Sequence, residues 1–231
     1  MKKGQDTGRP PLQAAIIDLD GTLVDTLGDF HAALNEMLAG LELPTVAAPV
    51  VAGFIGKGSE HLIREVLAHV GAPPDRYQPA WDAYQSCYRR LNGLQSALYP
   101  GVREGVAQLR AAGLSLACLT NKPTEFARAL LEAKGLGDDF EVVFGGDAFA
   151  RKKPDPLPLL ETCAALGVPP AATLMLGDSS NDAAAARAAG CPVVLVTYGY
   201  NHGEPVRGVD ADGYLDSLAD APALLARLFP P

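Results

Sequence analysis

The chain has 231 residues, a formal net charge of −8, 48% hydrophobic and 20% charged residues. That length and balance are those of a soluble globular protein that can bury a sizeable core. The acidic charge and the lack of any basic run predict no nucleic-acid partner, because binding to phosphate backbones depends on clustered lysine and arginine.

The first residues and the cysteines indicate the cellular compartment in which the protein is expected. Lys2 and Lys3 resemble the start of a signal peptide, but the polar stretch 4–11 follows and no apolar segment comes before the first strand. The absence of long apolar stretches predicts no membrane-spanning helix and no membrane partner. We therefore expect a cytoplasmic protein whose scattered cysteines are reduced packing residues. These are Cys87, Cys118, Cys163 and Cys191.

The first predicted element is a buried parallel strand over residues 14–19, which carries Asp18 and leads into Asp20 and Gly21. Ligands of open α/β sheets gather beyond the carboxyl ends of the strands, so both aspartates are expected to face a site. Two alternatives are a strand with a plain acidic loop and a calcium loop. Calcium fits less well, because an EF-hand loop requires further oxygen ligands and a glutamate at its twelfth position, whereas a helical stretch begins here.

A long insert follows the first strand. Strands one and two are separated by far more chain than a crossover helix requires. Apolar residues recur at helical spacing over 27–41, 62–70 and 81–91. We therefore predict a helical insert at residues 26–98, with its return hinge at 99–101.

A glycine-rich segment of the insert, residues 53–59, resembles a phosphate loop. The spacing Gly-x-x-x-x-Gly-Lys is not met, however, and no apolar strand precedes the segment. A turn that opens the second helix of the insert, with Ser59 as the N-cap, is favoured. Lys57 and the nearby backbone N–H groups are still candidates to meet an anionic substrate, because the segment lies in the insert.

Four more strands are predicted, over 114–119, 142–144, 173–176 and 193–196. Their alternation with helices predicts an α/β fold, a doubly wound parallel sheet of five strands whose carboxyl ends meet at one edge. Polar clusters follow these strands, namely Thr120 with Asn121, Lys152 with Lys153, and Asp178 with Asp182.

The ordered clusters resemble the motifs of the haloacid dehalogenase-like hydrolases. The motifs are Asp-x-Asp-Gly-Thr at 18–22, Thr120 at a strand end, Lys153 before a proline, and Gly-Asp-x-x-x-Asp at 177–182. The resemblance covers the chain from residue 14 to its end. Within the superfamily it is closest to the phosphoglycolate phosphatases, to whose tail peptide residues 197–205 are similar.

The resemblance also implies a domain organisation. A Rossmann-like five-stranded core is expected from residues 1–25 and 99–231. An all-helical cap of the C1 type is expected from residues 26–98. Because the shared motifs hold only a phosphate group, this cap is expected to choose the substrate.

The resemblance assigns roles to the aspartates. Asp18 is the expected nucleophile, which would form an acyl phosphate. Asp20 is the expected general acid and base, and its presence favours phosphate transfer over halide removal. Asp18, the backbone carbonyl of Asp20 and the side chain of Asp178 are expected to bind Mg²⁺, with Asp182 in support through hydrogen bonds or a water. Asp178 alone would suit a helix N-cap equally well.

The remaining assignments concern the phosphate ester. Thr120 and Asn121 are expected to bind phosphoryl oxygens, and Lys153 to supply a positive charge to the transferring group and to Asp18. Lys153 is chosen over Lys152 because the family lysine directly precedes the proline. Lys57 is a further candidate for substrate binding. By themselves, Thr120 would suit an ordinary strand end and Lys153 a solvated loop.

The sequence thus predicts a magnesium-dependent phosphomonoesterase that acts on small phosphorylated metabolites, with 2-phosphoglycolate as the expected substrate and a phosphoaspartate intermediate. A monomer or homodimer is expected. Two alternatives stay open. One is a phosphosugar phosphatase, mutase or pyrophosphatase on the same fold, and the other is a phosphate-binding regulatory module without turnover.

Overall fold

The computed structural model describes residues 10–229. Six parallel strands form the main sheet, in the order β5-β4-β1-β6-β7-β8, and two short antiparallel strands, β2 and β3, form a separate ladder. The strands are β1 (Ala14–Ile17), β2 (Val24–Asp25), β3 (Ala97–Leu98), β4 (Ser115–Leu119), β5 (Val142–Phe144), β6 (Thr173–Gly177), β7 (Val193–Val196) and β8 (Gly213–Leu215).

The helices divide between the sheet and the insert. Those of the insert are α1 (Leu27–Gly40), α2 (Ala48–Ala52), α3 (Ser59–His69) and α4 (Tyr77–Leu91). Those that accompany the sheet are α5 (Val102–Ala111), α6 (Thr124–Ala133), α7 (Leu157–Leu166), α8 (Ser180–Ala189) and α9 (Ala221–Leu228).

Both faces of the sheet are covered, which confirms the doubly wound α/β fold. Alternate residues of β1 pack into different apolar cores, since successive side chains of a strand point to opposite faces. Ala15 and Ile17 pack in one core with residues of α5, α6 and α9. Ile16 packs in the other with residues of α7 and α8. β1 therefore lies buried in the middle of the sheet, and its carboxyl end lies among those of β4 and β6.

The predicted count of five strands is wrong, because β8 adds a sixth at the edge. β8 pairs with β7 through Val194 and Gly213, Leu195 and Tyr214, and Val196 and Leu215. This edge strand is only three residues long, includes a glycine and is fully buried at one residue. It therefore lacks the apolar run by which a buried strand is detected in a sequence.

The insert has its own apolar core, formed by its helices together with Phe126 of α6. α1, α3 and α4 fall on the three predicted helical stretches, and α2 is an additional short helix. The insert is not wholly helical, because Ala97 and Leu98 pair with Asp25 and Val24 in the β2–β3 ladder. This ladder joins the chain entering the insert to the chain leaving it. The domain limits at 25/26 and 98/99 stay predictions.

Some predictions fall on residues outside the described range. These are the absence of a signal peptide, which concerned Lys2 and Lys3, and the outermost parts of the core limits 1–25 and 99–231. Within residues 10–229, no helix is both long and apolar enough to cross a membrane.

Candidate active site

The motif residues follow three neighbouring strands of the sheet. Asp18 comes directly after β1, Thr120 after β4, and Asp178 after β6. A tight turn follows, in which the Leu19 carbonyl accepts hydrogen bonds from the backbone N–H groups of Leu23 and Val24 at 3.0 Å each. This turn keeps Asp20 close to the edge of the sheet. The local sequence thus places two carboxylates at the middle of one sheet edge.

The lysine at this edge is Lys153. Its side chain is 2% exposed, and its Nζ lies 3.0 Å from Asp18 Oδ1. The same Nζ donates to Asp182 Oδ1 at 2.7 Å and to the Leu119 carbonyl at 2.8 Å. Lys152 lies instead at the rim, where it pairs with Glu60 of the insert. The structure therefore brings Lys153, and not Lys152, to the predicted nucleophile.

The Asp178 carboxylate is oriented from two sides. Thr22 Oγ1 donates to Asp178 Oδ1 at 3.0 Å, and the backbone N–H of Tyr200 donates to Asp178 Oδ2 at 2.6 Å. The backbone packs so closely that a side-chain carbon on Gly21 or Gly199 would clash with this carboxylate. Two glycines and two hydrogen-bond donors thus hold Asp178 at the sheet edge.

Asp182, the last residue of the same motif, lies in the first turn of α8. Its Oδ2 accepts from Ser179 Oγ at 2.8 Å, from the Ser179 N–H at 3.2 Å and from the Asp178 N–H at 3.3 Å. Ser179 is the N-cap of α8 and forms a capping box with Asp182. The N-cap is therefore Ser179 and not Asp178, and the Asp178 side chain is left for another role.

Three of these carboxylates form a cluster. Single oxygens of Asp18, Asp178 and Asp182 all lie within 4.8 Å of one another, and all three residues are buried. Asp18 Oδ1 is buried without a hydrogen-bond donor, although the Lys153 ammonium lies 3.0 Å away as an ion pair. Three acids face one lysine, and hard divalent cations take carboxylate oxygens as ligands. The residues present therefore fit a divalent cation.

The cluster shifts the pKa values of its members. Burial raises the pKa of Asp18 to about 7, against the opposing effect of Lys153 and with help from Asp182 and Asp20. Burial, followed by Asp182 and Asp18, raises the pKa of Asp178 well above its ordinary value. Burial alone would lower the pKa of Lys153, but the carboxylates of Asp18 and Asp182 outweigh it and raise that pKa. The carboxylates of Asp18 and Asp182 thus share one ammonium, that of Lys153, and repulsion among the acids adds to the effect of burial in raising the pKa of Asp18 and Asp178.

Asp18 and Asp20 line a cavity between the sheet and the insert. It encloses about 370 Å³, including space that is open to solvent. The sheet side of the lining contains Asp18, Asp20, Thr120, Asn121 and Lys122, and the insert side contains Phe30, Ile55, Gly56, Gly58, Ser59 and Leu62. The cavity thus lies where the motifs of the sheet meet the insert.

The glycine-rich turn of the insert is tied to the sheet. The Gly56 carbonyl accepts from Asn121 Nδ2 at 2.9 Å and from Asn181 Nδ2 at 3.3 Å. The Asn121 amide also pairs with the backbone N–H and carbonyl of Lys153. Asn121 thus connects the insert with two motifs. The Lys57 side chain is exposed and does not line the cavity, whereas both flanking glycines do.

The prediction that Ser59 is an N-cap is wrong. α3 begins at Ser59, and the preceding cap residue is Gly58, whose φ is 88°. Glycine adopts this left-handed conformation without steric cost, so the turn enters the helix one residue earlier than predicted. Ser59 is consequently buried and lines the cavity.

The sequence reasoning missed Lys122. Its Nζ donates to Asp20 Oδ1 at 2.7 Å, and both side chains are buried. The ammonium also lies 4.3 Å from the centroid of the Phe30 ring and 5.0 Å from that of Tyr88. Lys122 follows Thr120 by two residues, and this proximity to the second motif is the one feature of the sequence that could have identified it as a site residue. Its partners come from the first motif and from two helices of the insert.

Comparisons with known proteins agree with this geometry. The family model described as haloacid dehalogenase-like hydrolase matches residues 12–190. A phosphoglycolate phosphatase of Thiobacillus denitrificans is 43% identical, over 94% of this chain and 97% of its own length. A phosphoglycolate phosphatase of Cupriavidus necator is 46% identical, over 95% and 96%. The crystal structure of a predicted phosphoglycolate phosphatase of Haemophilus somnus superposes with a TM-score of 0.89 at 33% identity, covering 92% of this chain and 97% of that one.

Proposed function

Since this chain belongs to the haloacid dehalogenase-like hydrolases and is a phosphoric monoester hydrolase, we propose that it hydrolyses 2-phosphoglycolate to glycolate and phosphate. The proposed cofactor is Mg²⁺, and the proposed intermediate is a phosphoaspartate at Asp18. We further propose that the enzyme acts in the cytoplasm. The monomer or homodimer stays a prediction.

One observation carries the proposal. The Asp18 carboxylate lies at the end of the central strand, 3.0 Å from the Lys153 ammonium, within an acidic cluster and on the wall of a small cavity. A carboxylate in this position can attack phosphorus, while a fixed positive charge beside it binds the phosphoryl oxygens. The cavity wall also includes Thr120, whose hydroxyl and N–H are proposed to bind the same phosphoryl group.

The cation would be held by Asp18, the backbone carbonyl of Asp20 and Asp178, with Asp182 in support. The positive charge that it supplies when bound would offset the repulsion between a carboxylate and a phosphate dianion. Asp182 is proposed to act chiefly by orienting its neighbours, because its Oδ1 pairs with Lys153 and its Oδ2 accepts three hydrogen bonds.

The proposed reaction has two displacements. In the first, an Asp18 oxygen forms a bond to phosphorus, the bond to the ester oxygen breaks, and Asp20 donates a proton to the leaving alkoxide. In the second, the Asp20 carboxylate takes a proton from water, the water oxygen forms a bond to phosphorus, and the bond between phosphorus and the Asp18 oxygen breaks, which releases phosphate and restores the Asp18 carboxylate. Lys153 stabilises the transferring group in both steps.

Two alternatives are resolved by the same assay. A sugar-phosphate enzyme would share every motif and differ in the cap, so it would prefer larger esters. A regulatory module without turnover is disfavoured, because Asp18, Asp20, Lys153 and Asp178 are all present and buried together.

The test is release of inorganic phosphate from a panel of phosphomonoesters, with Mg²⁺ and after its removal by a chelator. We expect the highest kcat/KM for 2-phosphoglycolate, no turnover in chelator, and no turnover by Asp18→Asn in either condition. Asp155→Asn, which alters a partly exposed acid outside the cluster, is the matched control and should retain activity. Near wild-type turnover by Asp18→Asn would refute covalent catalysis at this residue, and a strong preference for hexose phosphates would move the substrate to the sugar class.

A further inference from the structure

A buried lysine lies beside the general acid without taking part in the proposed chemistry at phosphorus. The Lys122 side chain is 2% exposed, and its ammonium donates to Asp20 Oδ1 at 2.7 Å. Burying a charge is costly unless it is paired, so such a residue requires compensating contacts. The Asp20 carboxylate supplies one of them.

The other contacts come from the insert. Phe30 of α1 and Tyr88 of α4 present their rings to the ammonium at 4.3 and 5.0 Å. Aromatic faces attract a cation, but they do not use its N–H groups as a carboxylate oxygen does. An ammonium has three such donors. Lys122 is therefore held in place by two rings and one carboxylate and retains hydrogen-bonding capacity on a cavity that it lines.

The position of this ammonium relates it to the leaving group. Asp20 is proposed to protonate the ester oxygen, so a cation 2.7 Å from Asp20 lies on the leaving-group side of the phosphorus. In 2-phosphoglycolate a single methylene separates the ester oxygen from the carboxylate. A substrate placed for protonation by Asp20 therefore brings its carboxylate to the vicinity of Lys122.

The other lysines near the site are less suitable. Lys153 is committed to Asp18 and Asp182 on the phosphoryl side. Lys152 pairs with Glu60 at the rim, and the exposed Lys57 does not line the cavity. Among the described residues, Lys122 is the one lysine or arginine that lines the cavity.

On the basis of the proposed function, we infer that Lys122 is a specificity-determining residue that binds the carboxylate of the leaving group. The core thus supplies the charge that recognises the anionic end of the substrate, and the insert supplies the aromatic walls that hold this charge in position. An ester of the same size with a neutral leaving group gains nothing from the contact. Discrimination therefore rests on a charge-assisted hydrogen bond inside the cavity.

The experiment compares two substrates that differ in one group. 2-Phosphoglycolate carries the carboxylate, and 2-hydroxyethyl phosphate replaces it with a hydroxymethyl group. kcat and KM are measured for both with the wild type, Lys122→Gln and Lys152→Gln. Glutamine can still donate a hydrogen bond to Asp20, but it carries no charge. Lys152→Gln is the matched control, because it removes a lysine that also bridges sheet and insert but lies outside the cavity lining.

We expect Lys122→Gln to raise KM for 2-phosphoglycolate by about ten- to a hundredfold, which is the range of a charge-assisted hydrogen bond. KM for 2-hydroxyethyl phosphate should change by less than about threefold. Any fall in kcat through Asp20 should affect both esters alike. Lys152→Gln should leave the ratio of the two kcat/KM values unchanged. An unchanged ratio in a folded Lys122→Gln would overturn the inference.

A second variant covers the case in which Lys122→Gln fails to fold. Phe30→Leu removes one aromatic wall and leaves the pair with Asp20 intact. It should lower the ratio of kcat/KM for the charged over the neutral ester by about three- to tenfold. A ratio like that of the wild type would count against the inference.

The sequence-based candidate, Lys57, is tested in parallel as Lys57→Gln. Loss of discrimination in that variant alone would transfer the role to the exposed lysine and overturn the inference. A wild type that turns over both esters equally would instead contradict 2-phosphoglycolate as the substrate, so the two failures are distinguishable.

Discussion

Asp18→Asn should stabilise the metal-free protein while it abolishes activity. The carboxylate of Asp18 is buried beside Asp178 and Asp182, with one lysine to offset three acids. Asparagine has nearly the same shape and no charge. In the absence of a cation, the substitution therefore removes a buried charge that the fold otherwise has to accommodate.

The magnitude follows from the pKa of Asp18, which burial raises from 3.8 to about 7. One pKa unit corresponds to about 1.4 kcal/mol. When Asp18 is ionised in both the folded and the unfolded protein, its charge therefore lowers the free energy of unfolding by about 4 kcal/mol. A group whose pKa is raised by folding contributes stability that is complete below the unfolded pKa and is lost as the pH rises through the folded pKa. The advantage of Asp18→Asn should thus be about 4 kcal/mol near pH 8 and about 2 kcal/mol near pH 5.

The assay is thermal unfolding in chelator, followed by circular dichroism at both pH values. About 4 kcal/mol corresponds to a rise in Tm of about 8 to 16 °C for a chain of this size. Adding Mg²⁺ should raise the Tm of the wild type more than that of Asp18→Asn, because the variant lacks one predicted ligand. A metal-free Asp18→Asn that melts below the wild type near pH 8, or a difference that does not shrink near pH 5, would refute the electrostatic reasoning.

Three further variants test the site and the insert. Asp20→Asn should lower kcat by about two to four orders of magnitude and spare Mg²⁺ binding, and a calorimetric titration with no detectable Mg²⁺ affinity would refute that division of roles. Asp29→Asn should lower the free energy of unfolding by about 1 to 3 kcal/mol, measured by urea denaturation, because this buried carboxylate accepts hydrogen bonds from the backbone N–H groups of Gly93 and Gln95, in the loop after α4, at 2.8 and 2.6 Å. Gly199→Ala should weaken Mg²⁺ binding, again by calorimetry, because the added carbon would clash with Asp178; unchanged affinity would show that the carboxylate can move.

The placement of the main catalytic candidates could be predicted from the sequence. Asp18, Thr120 and Asp178 each follow a short apolar run that forms a central or near-central strand, and parallel strands bring their carboxyl ends to one edge. Such runs are local signals. Their meaning does not depend on the rest of the chain, so the α/β class and the order of the motifs were accessible before any contact was known.

The edge strand β8 shows where local signals end. Two of its three residues are only partly buried, so its pairing with β7, rather than an apolar run, identifies it as a strand. The same holds for the start of α3, where the φ of Gly58, and not the side chain of Ser59, decides the entry into the helix. Backbone pairing leaves little trace in residue type, and a glycine such as Gly58 marks a turn without fixing the residue at which the next helix begins.

By itself the sequence determined the chemistry available at the sheet edge, namely two aspartates, a threonine, a lysine and a second acidic pair at family-like spacing. Only the tertiary structure decided what surrounds that chemistry. The pair of Lys122 with Asp20 spans 102 positions, and its aromatic walls, Phe30 and Tyr88, come from helices far away in the chain. Contacts of this kind form because packing removes side chains from water and forces charges to find partners, and no local pattern of residues encodes which partner each charge will meet.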